Sequence, residues 1–176
     1  MRRVSQNSRA GAKKNGHYRL FVFDLDETLW TLSDGITSIM IPPFRRAGPD
    51  RVENDHGFWV ELQPGVRELF EFLKRRGGYI SVASRNEPGP TLALLEALEI
   101  ARYLDFPQIA WRPKEDSIRR IIQEIRKRDK VSIKPAEVLF VDDWAENIPP
   151  VRAWGATALV FGQDVESYAE LIRLLQ

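Results

Sequence analysis

Short apolar runs alternate with segments of helical periodicity along most of the chain, and this alternation predicts the fold. We expect strands at residues 21–23, 79–83, 108–111, 138–141 and 156–161. Between them, apolar residues recur three and four apart, which predicts helices at residues 64–77, 91–100, 114–125, 151–154 and 168–175. Strands that alternate with helices imply right-handed crossovers and a mostly parallel sheet covered on both faces. The predicted class is therefore a three-layer, doubly wound α/β fold.

One stretch departs from this alternation. Residues 31–62 contain Pro42, Pro43, Gly48 and Pro49 and show neither period clearly, so we predict irregular structure there. The stretch is too short for a domain, and a small lid inserted after the first strand is the natural interpretation. Trp30, Phe44, Phe58 and Trp59 are candidates either for a pocket mouth or for the core.

The composition bounds the class of protein. The 176 residues, 43% hydrophobic and 29% charged, suit one domain with a sizeable core. No apolar stretch approaches the roughly 18 residues that span a bilayer, and the start lacks an apolar leader, so we expect a cytoplasmic protein without a membrane segment. The absence of cysteine leaves oxygen and histidine as metal ligands.

Charge is distributed unevenly. Residues 1–19 hold six basic residues and no acid, which leaves 20 basic and 25 acidic residues in the rest. We predict a flexible, solvated basic tail over residues 1–17, followed by one domain over residues 18–176. The tail has no aromatic residue for base stacking, and only Tyr18 directly follows it, so nucleic-acid binding is not favoured. His17 and His56 have no third partner in the sequence and are expected at the surface.

The first strand ends in two carboxylates, Asp24 and Asp26, followed by Thr28. Two residues apart on an extended backbone place both acids on one side. Charges that close require a cation or a shared proton, and Mg²⁺ with oxygen ligands meets that requirement. Alternatively, the strand simply runs into an acidic turn.

Polar residues recur where other predicted strands end. Ser84 and Arg85 follow the second strand, Lys114 follows the short third one, and Asp142 and Asp143 follow the fourth. Ligands of open parallel sheets bind beyond the carboxyl ends of the strands. In this order the four motifs resemble those of the haloacid dehalogenase (HAD) superfamily phosphohydrolases. The sequences DLDETLW, ASR and FVDD, with Asn147, are most similar to its small magnesium-dependent (acid) phosphatase branch.

The resemblance implies roles for the acids. Asp24 would be the nucleophile that forms an aspartyl-phosphate, and Asp26 would protonate the leaving oxygen and then deprotonate water. Mg²⁺ would be held by four residues, Asp24, Asp26 through its backbone carbonyl, Asp142 and Asp143. Asp142 is the expected direct ligand and Asp143 the partner of Lys114 or of a metal-bound water, although the sequence leaves their order open.

It also implies roles for the remaining polar residues. Ser84 and Lys114 would hold the phosphoryl oxygens, and Lys114 would balance the charge on Asp24. Taken alone, a serine after a strand is usually a cap and a lysine after proline a solvated first-turn residue. Arg85 either binds substrate charge or pairs with a surface acid. Asn147 either braces the acidic loop or faces solvent.

The implied activity is Mg²⁺-dependent hydrolysis of a small phosphomonoester or a phosphorylated side chain, with phosphotyrosine and phosphorylated sugars as candidates. A phospho-ligand-binding or regulatory domain with weak or no turnover is the alternative, and it could dispense with Asp24 or Asp26, which are both present. A receiver-type signalling domain has its acidic pair and acceptor on different strands. A dehalogenase lacks an acid at the position of Asp26.

Overall fold

A computed structural model describes residues 18–33 and 40–176 of the protein. The strands are β1 (Leu20–Phe23), β2 (Trp30–Leu32), β3 (Arg45–Arg46), β4 (Arg51–Glu53), β5 (Trp59–Leu62), β6 (Tyr79–Ser84), β7 (Gln108–Ile109), β8 (Val138–Asp142) and β9 (Thr157–Val160). The helices are α1 (Val66–Arg75), α2 (Pro88–Ala97), α3 (Lys114–Asp129), α4 (Ile148–Ala153) and α5 (Tyr168–Leu175). The predicted basic tail lies outside the described residues.

Five strands form a parallel sheet in the order β7-β6-β1-β8-β9. The chain moves outward from β1 to β6 and β7 and then returns to the other side of β1 with β8 and β9, which is the predicted doubly wound α/β topology. The winding reverses between β1 and β8. In open sheets of this type, ligands bind at that reversal, beyond the carboxyl ends of the strands.

The apolar side chains of the sheet alternate between two cores. Phe21 and Phe23 pack with α1, α2 and α5 on one face, whereas Leu20 and Val22 pack with α3 and α4 on the other. Because side chains alternate along a strand, a strand buried on both faces must be apolar at every position. All four residues of β1 are buried, so the continuous apolar run reflects a three-layer fold.

The prediction of irregular structure throughout residues 31–62 was wrong for the described part of this stretch. The described part of this stretch contributes a small antiparallel sheet in the order β2-β5-β4-β3. Its inner side chains Val52, Val60 and Leu62 are buried in the same core as α1 and α5. Trp30 and Phe58 are fully buried as well, so they belong to the core rather than to a pocket mouth.

Helix ends follow local chemistry more closely than apolar periodicity. α2 begins at Pro88, earlier than predicted, since proline suits the first helical turn. Gly77 closes the end of α1 with a positive φ of 72°, and Ser167 caps α5 by accepting the amide of Glu170 at 3.2 Å. No helix within the described ranges has the length and apolar character needed to cross a bilayer.

Candidate active site

Three acids meet at the carboxyl edge of the parallel sheet. Asp24 directly follows β1, and Asp142 ends β8 next to it, because the backbone amide of Asp24 donates to the carbonyl of Val141 at 2.9 Å. Carboxylate oxygens of Asp24, Asp142 and Asp143 all lie within 4.8 Å of one another. Asp142 is fully buried, and the Asp24 side chain is 13% exposed.

Lys114 supplies a buried positive charge to these acids. It is the first residue of α3, and its side chain is 4% exposed. Its Nζ donates to Asp24 and, at 2.7 Å, to the carbonyl of Ala83, and it lies 3.3 Å from Asp142 Oδ2. The sequence left Asp143 as a partner either of Lys114 or of a metal-bound water, and the acid of this pair next to Lys114 is Asp142.

Asp143 is instead joined to the loop that follows Asp24. Thr28 donates its hydroxyl hydrogen to Asp143 Oδ1 at 3.0 Å and accepts the backbone N–H of Asp143 at the same distance. The carbonyl of Thr28 accepts a hydrogen bond from the Tyr168 hydroxyl at 2.7 Å. Tyr168 is itself held between Phe23 and Phe161, at ring separations of 6.1 and 4.9 Å. Sequence reasoning gave Thr28 no separate role and placed Tyr168 only at the start of the predicted helix over residues 168–175.

Asp142 is fixed by donors from the residues that follow it. Its Oδ1 accepts the backbone N–H of Trp144 at 2.8 Å, and its Oδ2 accepts the side-chain amide of Asn147 at 2.9 Å. Of the two interpretations of Asn147, the bracing contact is the one observed, and its partner in the acidic loop is Asp142. Asp142 therefore has little rotational freedom.

The site has one lysine for three clustered acids, and its electrostatics reflect this. Burial, opposed by Lys114 and reinforced by Asp142, raises the pKa of Asp24 from 3.8 to about 7. Burial also raises the pKa of Asp143. A nearby divalent cation would favour the charged form of both acids. Three clustered carboxylates with excess negative charge form an oxygen-only donor set, and this set fits Mg²⁺.

Asp26 points to different partners. Its Oδ1 accepts the indole N–H of Trp30 at 2.7 Å and the side-chain amide of Asn86 at 3.0 Å. Its carboxylate is not among the three clustered acids, so an Asp26 metal contact rests on the backbone carbonyl alone. Asn86 was missed in the sequence because it lies 60 residues from Asp26.

Ser84 and Arg85 continue from β6 toward the same edge. Ser84 is buried, and its hydroxyl oxygen accepts the backbone N–H of Asn86 at 3.2 Å. Arg85 is exposed, donates to the carbonyl of Arg112 at 3.2 Å and lies 5.8 Å from the centroid of the Trp111 ring. Among the described residues no acid pairs with Arg85. His56 is exposed and is distant in sequence from the residues at this edge. His17 lies outside the described ranges.

The sequence as a whole adds a second kind of evidence. It matches the family described as Acid Phosphatase over residues 17–169. The chain belongs to the acid phosphatase family. Every acid placed at the sheet edge lies within the matched range, and membership supports an enzyme that hydrolyses phosphate esters. No curated protein matches the chain significantly.

Solved structures similar to this acid phosphatase family member share its fold. A HAD-superfamily hydrolase from Ehrlichia chaffeensis has a TM-score of 0.66 and 15% identity over 92% of this chain and 97% of its own. A HAD-superfamily hydrolase from Geobacter sulfurreducens has a TM-score of 0.63 and 14% identity over 94% of this chain and 100% of its own. The chain thus has the same fold as these HAD-superfamily hydrolases.

A third similar structure was determined with the metal expected here. It is the N-terminal part of a Bacteroides fragilis protein containing a phosphatase domain complexed with Mg. Its TM-score is 0.61 and its identity 23% over 92% of this chain, which spans only 40% of that chain.

Proposed function

We propose that the protein is a Mg²⁺-dependent phosphomonoester hydrolase that works through an aspartyl-phosphate on Asp24. The observation that carries the proposal is the grouping of Asp24, Asp142 and Asp143 at the topological reversal of the sheet, with a buried lysine in contact with the first two. Buried acids with raised pKa values at such an edge are typical of functional sites. Asp24, Asp142 and Asp143 would hold the ion, together with the Asp26 carbonyl.

The first half of the reaction forms the phosphoenzyme. A carboxylate oxygen of Asp24 attacks phosphorus while the bond from phosphorus to the ester oxygen breaks and its electron pair stays on that oxygen. Asp26 gives this oxygen a proton. Mg²⁺ supplies charge neutralisation between the acids and the phosphoryl oxygens when it is bound.

The second half returns the enzyme to its starting state. Asp26, now ionised, takes a proton from water as the water oxygen attacks phosphorus, and the bond from phosphorus to Asp24 breaks. Lys114 balances the negative charge on Asp24 and the phosphoryl group through both displacements. The Ser84 hydroxyl oxygen already accepts the Asn86 amide, so its own hydrogen is free to donate to a phosphoryl oxygen.

The surroundings of the site support a flat leaving group. Trp111 and Trp144 are 85% and 62% exposed, the highest values among large apolar side chains in the described ranges. Trp111 lies three residues before Lys114 in the chain, and Trp144 directly follows Asp143 and donates its backbone N–H to Asp142 at 2.8 Å. Arg85 lies close to Trp111. Aromatic and guanidinium faces favour aryl phosphates such as phosphotyrosine over sugar phosphates.

The cytoplasmic location remains a prediction.

The proposal is tested with a panel of phosphate esters, with and without Mg²⁺, on the purified protein and on Asp24→Asn. We expect Mg²⁺-dependent release of phosphate and none from the variant. The panel also weighs the alternative of a phospho-ligand-binding domain. Saturable binding of phosphotyrosine without release of phosphate, in the presence of Mg²⁺, would favour that alternative and contradict hydrolysis.

A further inference from the structure

The two carboxylate oxygens of Asp26 differ in their hydrogen-bond partners. Oδ1 accepts both the indole N–H of Trp30 at 2.7 Å and the amide N–H of Asn86 at 3.0 Å. The Trp30 indole nitrogen is a donor that cannot accept a proton, and the Asn86 amide nitrogen behaves in the same way. Oδ1 is therefore occupied as an acceptor, and Oδ2 has no such partner within the described residues.

Both donors are anchored independently of Asp26. The Trp30 side chain is fully buried in the core, and its backbone amide donates to the Leu25 carbonyl at 3.1 Å. Asn86 comes from a different element, the loop after β6, where its backbone amide is fixed on the Ser84 hydroxyl. Oδ1 of the Asp26 carboxyl group is held by two donors whose positions are fixed by separate elements. The direction of Oδ2 is therefore fixed as well.

We propose that Trp30 and Asn86 are positioning residues that hold Oδ1 and leave Oδ2 as the oxygen through which Asp26 transfers protons. This inference rests on the proposed function. In the first displacement the Oδ2–H bond breaks and the leaving ester oxygen gains that proton. In the second displacement Oδ2 takes a proton from the attacking water, so the oxygen that gave the proton regains one.

Asn86→Ala tests this arrangement cleanly. The substitution removes the side-chain amide but retains the backbone N–H that contacts Ser84, so the phosphoryl-binding hydroxyl keeps its partner. An ester with a poor leaving group depends on protonation, whereas p-nitrophenyl phosphate barely does. The readout is kcat/KM, because it covers only the steps through formation of the phosphoenzyme.

We expect Asn86→Ala to lower kcat/KM about tenfold or more on an alkyl phosphate and less than about threefold on p-nitrophenyl phosphate, since general acid catalysis contributes typically 10²–10⁴-fold in total. Trp30→Phe, which removes the indole N–H and keeps a ring in the core, should show the same selectivity. In the Asp26→Asn background, Asn86→Ala should add no leaving-group dependence. Gln123→Ala, an exposed amide on α3, is the matched control and should change neither ester.

The outcomes separate the two levels of the argument. Equal losses on both esters, or a selective loss that persists in the Asp26→Asn background, would overturn the positioning role while leaving the hydrolase intact. Unfolding of Trp30→Phe, seen by circular dichroism, would leave the decision to Asn86→Ala, which lies in a partly exposed loop. Absence of turnover by the unsubstituted protein would overturn the proposed function and this inference together.

Discussion

Charged side chains are used in opposite ways at the carboxyl edge of the parallel sheet and on the small antiparallel sheet. At the edge, Lys114 and Asp142 are 4% and 1% exposed in their side chains and lie 3.3 Å apart. On the small sheet, Arg51 faces Glu61 at 3.7 Å with 37% and 49% of the side chains exposed. Both regions contain charged residues of both signs in the sequence, but water screens only the charges on the small antiparallel sheet.

The difference separates function from solubility. An exposed ion pair contributes about 0–1 kcal/mol, because solvent already stabilises each charge. Buried charges cost several kcal/mol to desolvate, and removal of one partner leaves the other uncompensated. A protein retains such a cluster where its chemistry is used, which supports the proposal that the edge is the functional region, whereas the outer face of the small sheet is a solvated surface.

The largest expected effect comes from the nucleophile. Asp24→Asn should lower kcat at least about 10⁴-fold, because an amide cannot form the phosphoenzyme. Glu61→Gln, a matched carboxylate-to-amide change on the small sheet, should leave turnover within about twofold. Phosphate release from an aryl ester measures both. Comparable activity of Asp24→Asn and the unsubstituted protein, or full activity in excess chelator, would rule out the assigned mechanism.

The second-largest effect should come from removal of the buried positive charge of Lys114. Lys114→Met leaves Asp24 and Asp142 without their positive partner, and we expect about 3–5 kcal/mol less free energy of unfolding in urea. Arg51→Met, which breaks an exposed pair, should cost less than about 1 kcal/mol. Similar losses in the two variants would mean that burial does not separate the two regions.

Between pH 5 and 8, the stability of the metal-free protein should depend on pH mainly through the acids of the edge, whose pKa values burial raises. The pKa of Asp24 rises from 3.8 to about 7 on folding, so its contribution is present below pH 4 and is lost as pH rises through 7. Between pH 5 and 8 we expect the free energy of unfolding to fall by about 2 kcal/mol. Asp24→Asn should remove most of this slope, whereas Glu61→Gln should retain it. A rise in stability over the same range would contradict the raised pKa.

The smallest effect should come from the most exposed arginine of the small sheet. Arg45 contacts Glu53 at 3.3 Å and also pairs with Asp55, with 58% of its side chain exposed. Arg45→Gln should leave the free energy of unfolding unchanged within the error of a urea titration, because solvent screens this exposed pair, and should leave turnover of a small ester unchanged. A large loss in the free energy of unfolding, measured in the same urea series, would mean that this exposed pair stabilises the fold as strongly as the buried pairs of the edge.

The convergence of the site could be predicted from the sequence because it depends on local pattern. Asp24 and Asp142 each follow an apolar run, and parallel strands bring their carboxyl ends together. The choice of Asp142 over Asp143 as the neighbour of Lys114 could not be predicted, since consecutive side chains point in opposite directions. A shift of one residue in the end of β8 would exchange them.

The small sheet escaped prediction for a different reason. Its strands are two to four residues long, too short for an alternating pattern to stand out between prolines. Long-range contacts could not be predicted from the sequence either, because Asn86 and Asp26 lie 60 residues apart with no shared motif. Only the folded chain brings such groups together.

The contact between the Tyr168 hydroxyl and the Thr28 carbonyl spans 140 residues of chain. Contacts of such long sequence separation close late in folding, after the entropy of the intervening loop has been lost. During synthesis, β1 and its two aspartates leave the ribosome long before the helix that supports their loop. Every side chain proposed to be catalytic precedes Tyr168, so a nascent chain that carries them all still lacks the last support of the loop that follows Asp24.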